Sequence, residues 1–86
     1  MEKKLEAEIT ILYEDEETAR AITEAVSPDN NKLPTGLYVR TERRNSTVWT
    51  YIKCRKGFKT FIATVDDLLS TISTAEKTLR IARKLE

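Results

Sequence analysis

Thr47-Val48-Trp49-Thr50-Tyr51-Ile52-Lys53-Cys54 decides how the rest of this chain is arranged. The stretch is rich in β-branched and aromatic residues and has a single charge, the composition of a central strand. Val48, Thr50, Ile52 and Cys54 fall on one face, and Trp49, Tyr51 and Lys53 on the other. Just upstream, Leu37 to Arg43 alternates in the same way, with Leu37, Val39 and Thr41 opposed to Tyr38, Arg40 and Glu42. Arg44-Asn45-Ser46 is a short turn, so the two strands form a hairpin.

Working outward, Leu5-Glu6-Ala7-Glu8-Ile9-Thr10-Ile11-Leu12-Tyr13 alternates strictly and predicts a half-buried first strand. Glu14-Asp15-Glu16-Glu17 then supplies acids to the first turn of a helix, where they meet the positive end of the dipole. Ala19, Ile22, Ala25 and Val26 carry that helix from Glu16 to Val26, and Pro28 stops it. Ser27 to Gly36 reads as a loop of turn residues. After Gly57 the period changes. Phe61, Val65, Leu68, Ile72, Ala75, Leu79 and Ala82 step by four and three, and Phe58, Ile62 and Leu69 widen the stripe. One helix from Phe58 to Lys84 is expected. Its many threonines and serines are mediocre helix formers, so packing must hold it.

The order β-α-β-β-α fixes an architecture. A right-handed strand–helix–strand unit leaves a gap between its parallel strands, and the antiparallel third strand fills it. The expectation is an α+β domain with a three-stranded antiparallel sheet of order 1-3-2 and both helices on one face. At 86 residues the chain is one domain, and a domain this small buries only about 60% of the surface its unfolded chain exposes. A 27-residue helix spans roughly 40 Å at about 1.5 Å per residue. A strand of about eight residues spans roughly 26 Å. The last helix should overhang its sheet, with Leu79, Ala82 and Leu85 continuing the apolar seam. The far face of the sheet carries Leu12, Tyr38, Trp49 and Tyr51, more aromatic surface than solvent needs. Both surfaces call for partners.

Catalytic equipment is missing from the sequence. Histidine is absent, which removes the commonest general base and metal ligand. The single cysteine, Cys54, allows no internal disulfide and reads as a buried core thiol in a reducing, cytoplasmic setting. No leader or membrane-spanning run is visible, so no membrane partner is expected. Asp66 and Asp67 are adjacent on a helix and diverge by about 100°, which is poor geometry for sharing a metal. Only Gly36 and Gly57 are present, too few for a phosphate-cradling loop. The chain is therefore expected to be no enzyme and to need no cofactor.

Charge is distributed unevenly. Residues 1–30 hold nine acids and three bases, residues 31–60 one acid and eight bases, and residues 61–86 four of each, giving −6, +7 and zero for the net +1. Arg40, Arg43, Arg44, Lys53, Arg55 and Lys56, with Lys59 beside them, make the hairpin a candidate for phosphate contacts. An edge that resists sheet aggregation explains the same residues equally well. Lys77, Arg80, Arg83 and Lys84 suit the negative end of the final helix.

Several stretches together resemble a known family. Ala7-Glu8-Ile9-Thr10-Ile11 leads into the acid-capped helix, Ser27-Pro28-Asp29-Asn30 ends it, Leu33-Pro34-Thr35-Gly36-Leu37 opens the hairpin, and Phe61-Ile62-Ala63-Thr64-Val65-Asp66-Asp67-Leu68-Leu69 lies in the last helix. Over nearly its whole length the chain resembles the Pcc family, the small dimerising subunit of the KEOPS (or EKC) complex, in its archaeal form. That resemblance implies a role in making threonylcarbamoyladenosine beside the anticodon of transfer RNA. The chemistry would belong to a Kae/TsaD-type catalytic subunit, which the small subunit binds through its helices. It would also dimerise, joining two copies of the complex, and help to hold the RNA.

On this reading Ala21, Ile62, Asp66, Leu69, Ser73 and Glu76 are the candidates for contact with the catalytic subunit. Leu12, Tyr38, Trp49 and Tyr51 are those for the homodimer, by sheet face or sheet edge. The six basic residues of the hairpin are those for RNA. Two other readings fit the same residues. One is a free-standing RNA-binding module whose sheet aromatics stack bases. The other is a structural dimer with no RNA role.

Overall fold

The computed structural model describes residues 3–27 and 33–84. Pro28, Asp29 and Asn30 of the helix-ending loop and Leu85 of the seam lie outside them. The elements are β1 (Leu5–Leu12), α1 (Glu16–Val26), β2 (Leu37–Arg44), β3 (Thr47–Cys54) and α2 (Phe58–Lys84). β1 stops one residue before the expected Tyr13, although the Tyr13 amide still bonds the Ser46 carbonyl at 2.8 Å. β2 runs one residue further than expected, to Arg44. The connection shrinks to Asn45-Ser46, with Asn45 at φ 54° in the left-handed region that asparagine tolerates.

β3 lies between β1 and β2, antiparallel to both, giving the order β1-β3-β2. The register places Ala7, Ile52 and Val39 in one row across the sheet, and Ile9, Thr50 and Thr41 in the next. Thr50 is buried, and its hydroxyl lies 3.2 Å from that of Thr41, so a polar side chain in the core is satisfied. Both helices cover this face. The core joins Ala19, Ile22 and Val26 of α1 to Val39, Val48 and Ile52 of the sheet and to Leu68 and Ile72 of α2.

Local chemistry sets the helix ends. The Asp15 carboxylate caps α1 by accepting the Thr18 amide at 2.7 Å, and Glu16 and Glu17 occupy the first turn. At the other end the Ser27 amide and hydroxyl both donate to the Thr23 carbonyl. Gly57, at φ 97°, allows the chain to leave β3 and enter α2. Three threonines of α2 turn inward on their own helix: Thr64, Thr71 and Thr78 each donate to the carbonyl four residues back. Cys54 is buried, and its Sγ accepts the Lys56 amide at 3.4 Å.

The seam of α2 ends earlier than its sequence spacing implies. Phe61, Val65, Ala75 and Leu79 pack on the core, whereas Ala82 is exposed. Phe58, Ile62 and Leu69, which widen the stripe, face outward at 69%, 40% and 46% exposure. The last turns of α2 do not stand free. Arg83 donates to the Thr18 hydroxyl and pairs with Asp15 at 3.9 Å, tying the end of α2 to the start of α1. No helix among the described residues is long and apolar enough to cross a membrane.

Candidate functional site

The helical layer presents two distinct outer surfaces, because the core stripe of α2 separates its flanks by about 200°. The first is a groove of about 460 Å³ between the helices. Ala21 and Ala25 line it from α1, and Asp67, Ser70, Thr71 and Thr74 from α2. Most side chains on both walls are small.

The second surface is the opposite flank of α2. Ile62, Asp66, Leu69, Ser73 and Glu76 share it with Phe58. The six residues expected to contact one partner therefore divide, Ala21 in the groove and the other five on the far flank. Glu76 fixes which way that flank faces. Its carboxylate accepts the Tyr13 hydroxyl at 2.8 Å, just beyond the end of β1. Burial, and then this bond, hold the Tyr13 phenol well above its ordinary range. The asymmetry between Asp66 and Asp67 follows from the same geometry: both are exposed, Asp67 in the groove and Asp66 away from it. No group of residues suited to a metal ion occurs among the described residues.

The uncovered sheet face carries the aromatic row. Trp49 stacks on Tyr51 with ring centres 6.1 Å apart, and Tyr38 lies tilted 6.4 Å from Tyr51. Lys53 sits 5.6 Å above the Tyr38 ring. Acids of β1 tie this row down. Tyr51 donates to Glu6 at 2.6 Å and Trp49 donates to Glu8 at 3.2 Å. The Tyr51 bond, with Lys4 beside it, holds the Glu6 carboxyl below its usual range, and the same bond pushes the Tyr51 phenol up. Leu12 is 75% exposed at the end of β1, separated from the Tyr38 side of the face by the width of the sheet.

The basic cluster is split. Arg43 and Arg44 stand at the turn end of the hairpin, and Arg55 and Lys56 at the opposite end of β3. Roughly 26 Å of strand separates the two pairs. Arg40 and Lys53 lie between them on the open face. Glu42 pairs with Arg40 and lies 3.8 Å from Arg44, so the one acid of the middle third neutralises part of the patch. Arg43 turns to the helix side, beside Glu16, Glu17 and Arg20, and donates to the Asn45 carbonyl at 2.9 Å.

Sequence reasoning missed the groove and the Tyr13–Glu76 link. The groove had a signal, since Asp67, Thr71, Thr74 and Thr78 step by four and three on the side of α2 that faces away from Leu69. The Tyr13–Glu76 bond spans 63 residues and had none.

Comparison with solved structures finds a chain from the binary complex Gon7–Pcc1 with the same fold. The TM-score is 0.79 at 18% identity, covering 91% of this chain and 95% of that one. No family model matches the sequence, and comparison with curated proteins finds no match.

Proposed function

We propose that this chain is a non-catalytic subunit of the KEOPS complex, one that docks on a Kae/TsaD-type catalytic subunit, self-associates and supports threonylcarbamoyladenosine formation in transfer RNA. The observation that carries the reading is the extent of the fold likeness: nearly the whole chain, and not one motif of it, follows a chain from the Gon7–Pcc1 complex. The sequence resemblance to the Pcc family points the same way, and a sequence without histidine suits a subunit that leaves the chemistry to its partner.

Docking is assigned to the groove between α1 and α2. Ala21→Arg fills it from a half-exposed position that contributes little to the core. Co-expression with the catalytic subunit should then yield no joint purification, while the variant keeps the circular dichroism of the parent. Unchanged recovery of the pair would remove the groove from the reading.

RNA contact is assigned to the ends of the hairpin. Each phosphate neutralised on duplex nucleic acid adds about 0.9 to the slope of log affinity against log salt. Replacing Arg55 and Lys56 with alanine in the assembled complex should lower that slope by about one to two units, according to whether one phosphate or two are no longer neutralised. Replacing Arg40, which is paired with Glu42, should lower it less. Equal slopes for parent and both variants would leave a structural dimer without an RNA role as the better account.

A further inference from the structure

A cavity of about 600 Å³ opens at the end of the domain where α2 outruns the sheet. β1 stops at Leu12 and α1 begins at Glu16, so the last turns of α2 lie against the β1–α1 turn and the start of α1. The floor of the cavity is the margin of the core. Ile22 there is fully buried, while Ile11 and Leu79 are left half-buried. From α2, Glu76, Leu79, Arg80 and Arg83 face the cavity at steps of three and four, and Lys84 lines it from the end of the helix.

The charges of the lining are unevenly matched. Basic residues suit the last turns of any helix, because they complement its dipole, but the dipole does not ask them to share a side. Here Arg80, Arg83 and Lys84 all line the cavity, and Lys77 does not. Arg83 is engaged by the Thr18 hydroxyl and by Asp15. Arg80 and Lys84 have no carboxylate partner among the described residues. The acids of the lining are Glu14 and Glu76, and the Glu76 carboxylate already accepts the Tyr13 hydroxyl. Three bases against two acids leave one positive charge in excess above an apolar floor.

We propose that this cavity binds a small organic monoanion, a carboxylate carried on an apolar body, with the carboxylate at Arg80 and Lys84 and the apolar body on Leu79, Ile11 and Ile22. Small-molecule sites occupy roughly 300–1,000 Å³, and this cavity falls within that range. A guanidinium matches a carboxylate through two parallel hydrogen bonds, which fixes the orientation of the anion. A dianion such as a phosphate monoester fits less well, since its second charge would meet Glu14 and Glu76 with no further base to balance it. The site goes beyond the assembly reading and does not depend on it. It shares Leu79 and no other described residue with the groove between the helices.

Decanoate, titrated into the isotope-labelled full chain and followed by the amide resonances, tests the site. Those of Tyr13, Thr18 and Leu79 should move and saturate, while those of Ala25 and Ser70 in the groove and of Ile62 and Leu69 on the outer flank stay in place. Decanol, with the same apolar body and no charge, should bind about tenfold more weakly, the loss expected when a hydrogen bond to a charged group is missing. Changing Arg80→Glu together with Lys84→Glu should weaken decanoate by about tenfold or more. Lys77→Glu, outside the cavity, should leave its affinity unchanged. All three positions are exposed, so the circular dichroism of the parent should be kept. Absence of saturable shifts at millimolar decanoate overturns the site, as do shifts centred on Ile62 and Leu69. Equal affinity for decanol, or an equal loss from Lys77→Glu, overturns the anionic ligand. The comparison of decanoate with decanol uses the parent alone, so the result stands even where a variant folds poorly.

Discussion

The two helices of this small domain do different work with their apolar residues. α1 has eleven residues and buries three of them, Ala19, Ile22 and Val26, against β2, β3 and α2. α2 has 27 residues and buries two, Leu68 and Ile72. The shorter helix is matched to the sheet beneath it. The longer one uses a narrow stripe on the core and holds Phe58, Ile62, Leu69 and Ile81 outside it. Helix length here does not measure contribution to the core: the longer helix buries fewer residues and keeps the larger exposed apolar surface.

Neighbouring residues on α2 test this difference between the helices most directly. Ile22 is fully buried and Leu68 nearly so, while Leu69, one position on, is 46% exposed. Truncating a buried Leu or Ile to alanine typically costs about 2–5 kcal/mol. Domains are stable by only about 5–15 kcal/mol, so Ile22→Ala and Leu68→Ala should each remove a large part of the stability. Leu69→Ala should cost no more than about 1 kcal/mol. Urea denaturation of the isolated chain, at concentrations too low for association, reads all three. A Leu69→Ala loss as large as that of Leu68→Ala would mean the flank belongs to the core, and the distinction between the helices would fall.

The sequence carried the elements because each depends on neighbours in the chain. Period-two alternation placed β1, β2 and β3, and the switch to steps of three and four placed α2 from Phe58 to Lys84, both matching the observed bounds within a residue. The strand order followed from Val48 to Ile52 having the residues of a centre strand and from the handedness of the crossover. The surfaces were less legible. Periodicity groups Ile62 with Phe61 and Leu68 but cannot say that Ile62 stays outside the core while Phe61 packs on it. Charge along the chain grouped Arg43 with Arg55, whereas the length of β3 holds them at opposite ends. Glu42 could be counted from the sequence, but its pairing with Arg40 could not. Ala21 and Leu69 both lie on helices, and nothing in their spacing says that the core stripe of α2 runs between them.

A smaller change is expected at a point where charge joins the two helices. Asp15 caps α1, and the same carboxylate lies 3.9 Å from Arg83 in the last turns of α2. The Thr18 amide and hydroxyl, and then Arg83, hold the Asp15 carboxyl below its ordinary value of 3.8. A carboxyl with a lowered folded-state value stabilises the fold fully at pH above its unfolded value, and this contribution disappears as pH falls through the folded one. Asp15→Ala should therefore lower the melting temperature modestly at neutral pH, and the gap between variant and parent should close as pH drops below 3.8. Arg83→Ala separates the two sources. If the cap dominates, that variant keeps most of the pH-dependent gap relative to Asp15→Ala. If it matches Asp15→Ala across the pH range, the start of α1 is held chiefly by the tail of α2, and the shorter helix is less self-sufficient than its buried residues imply.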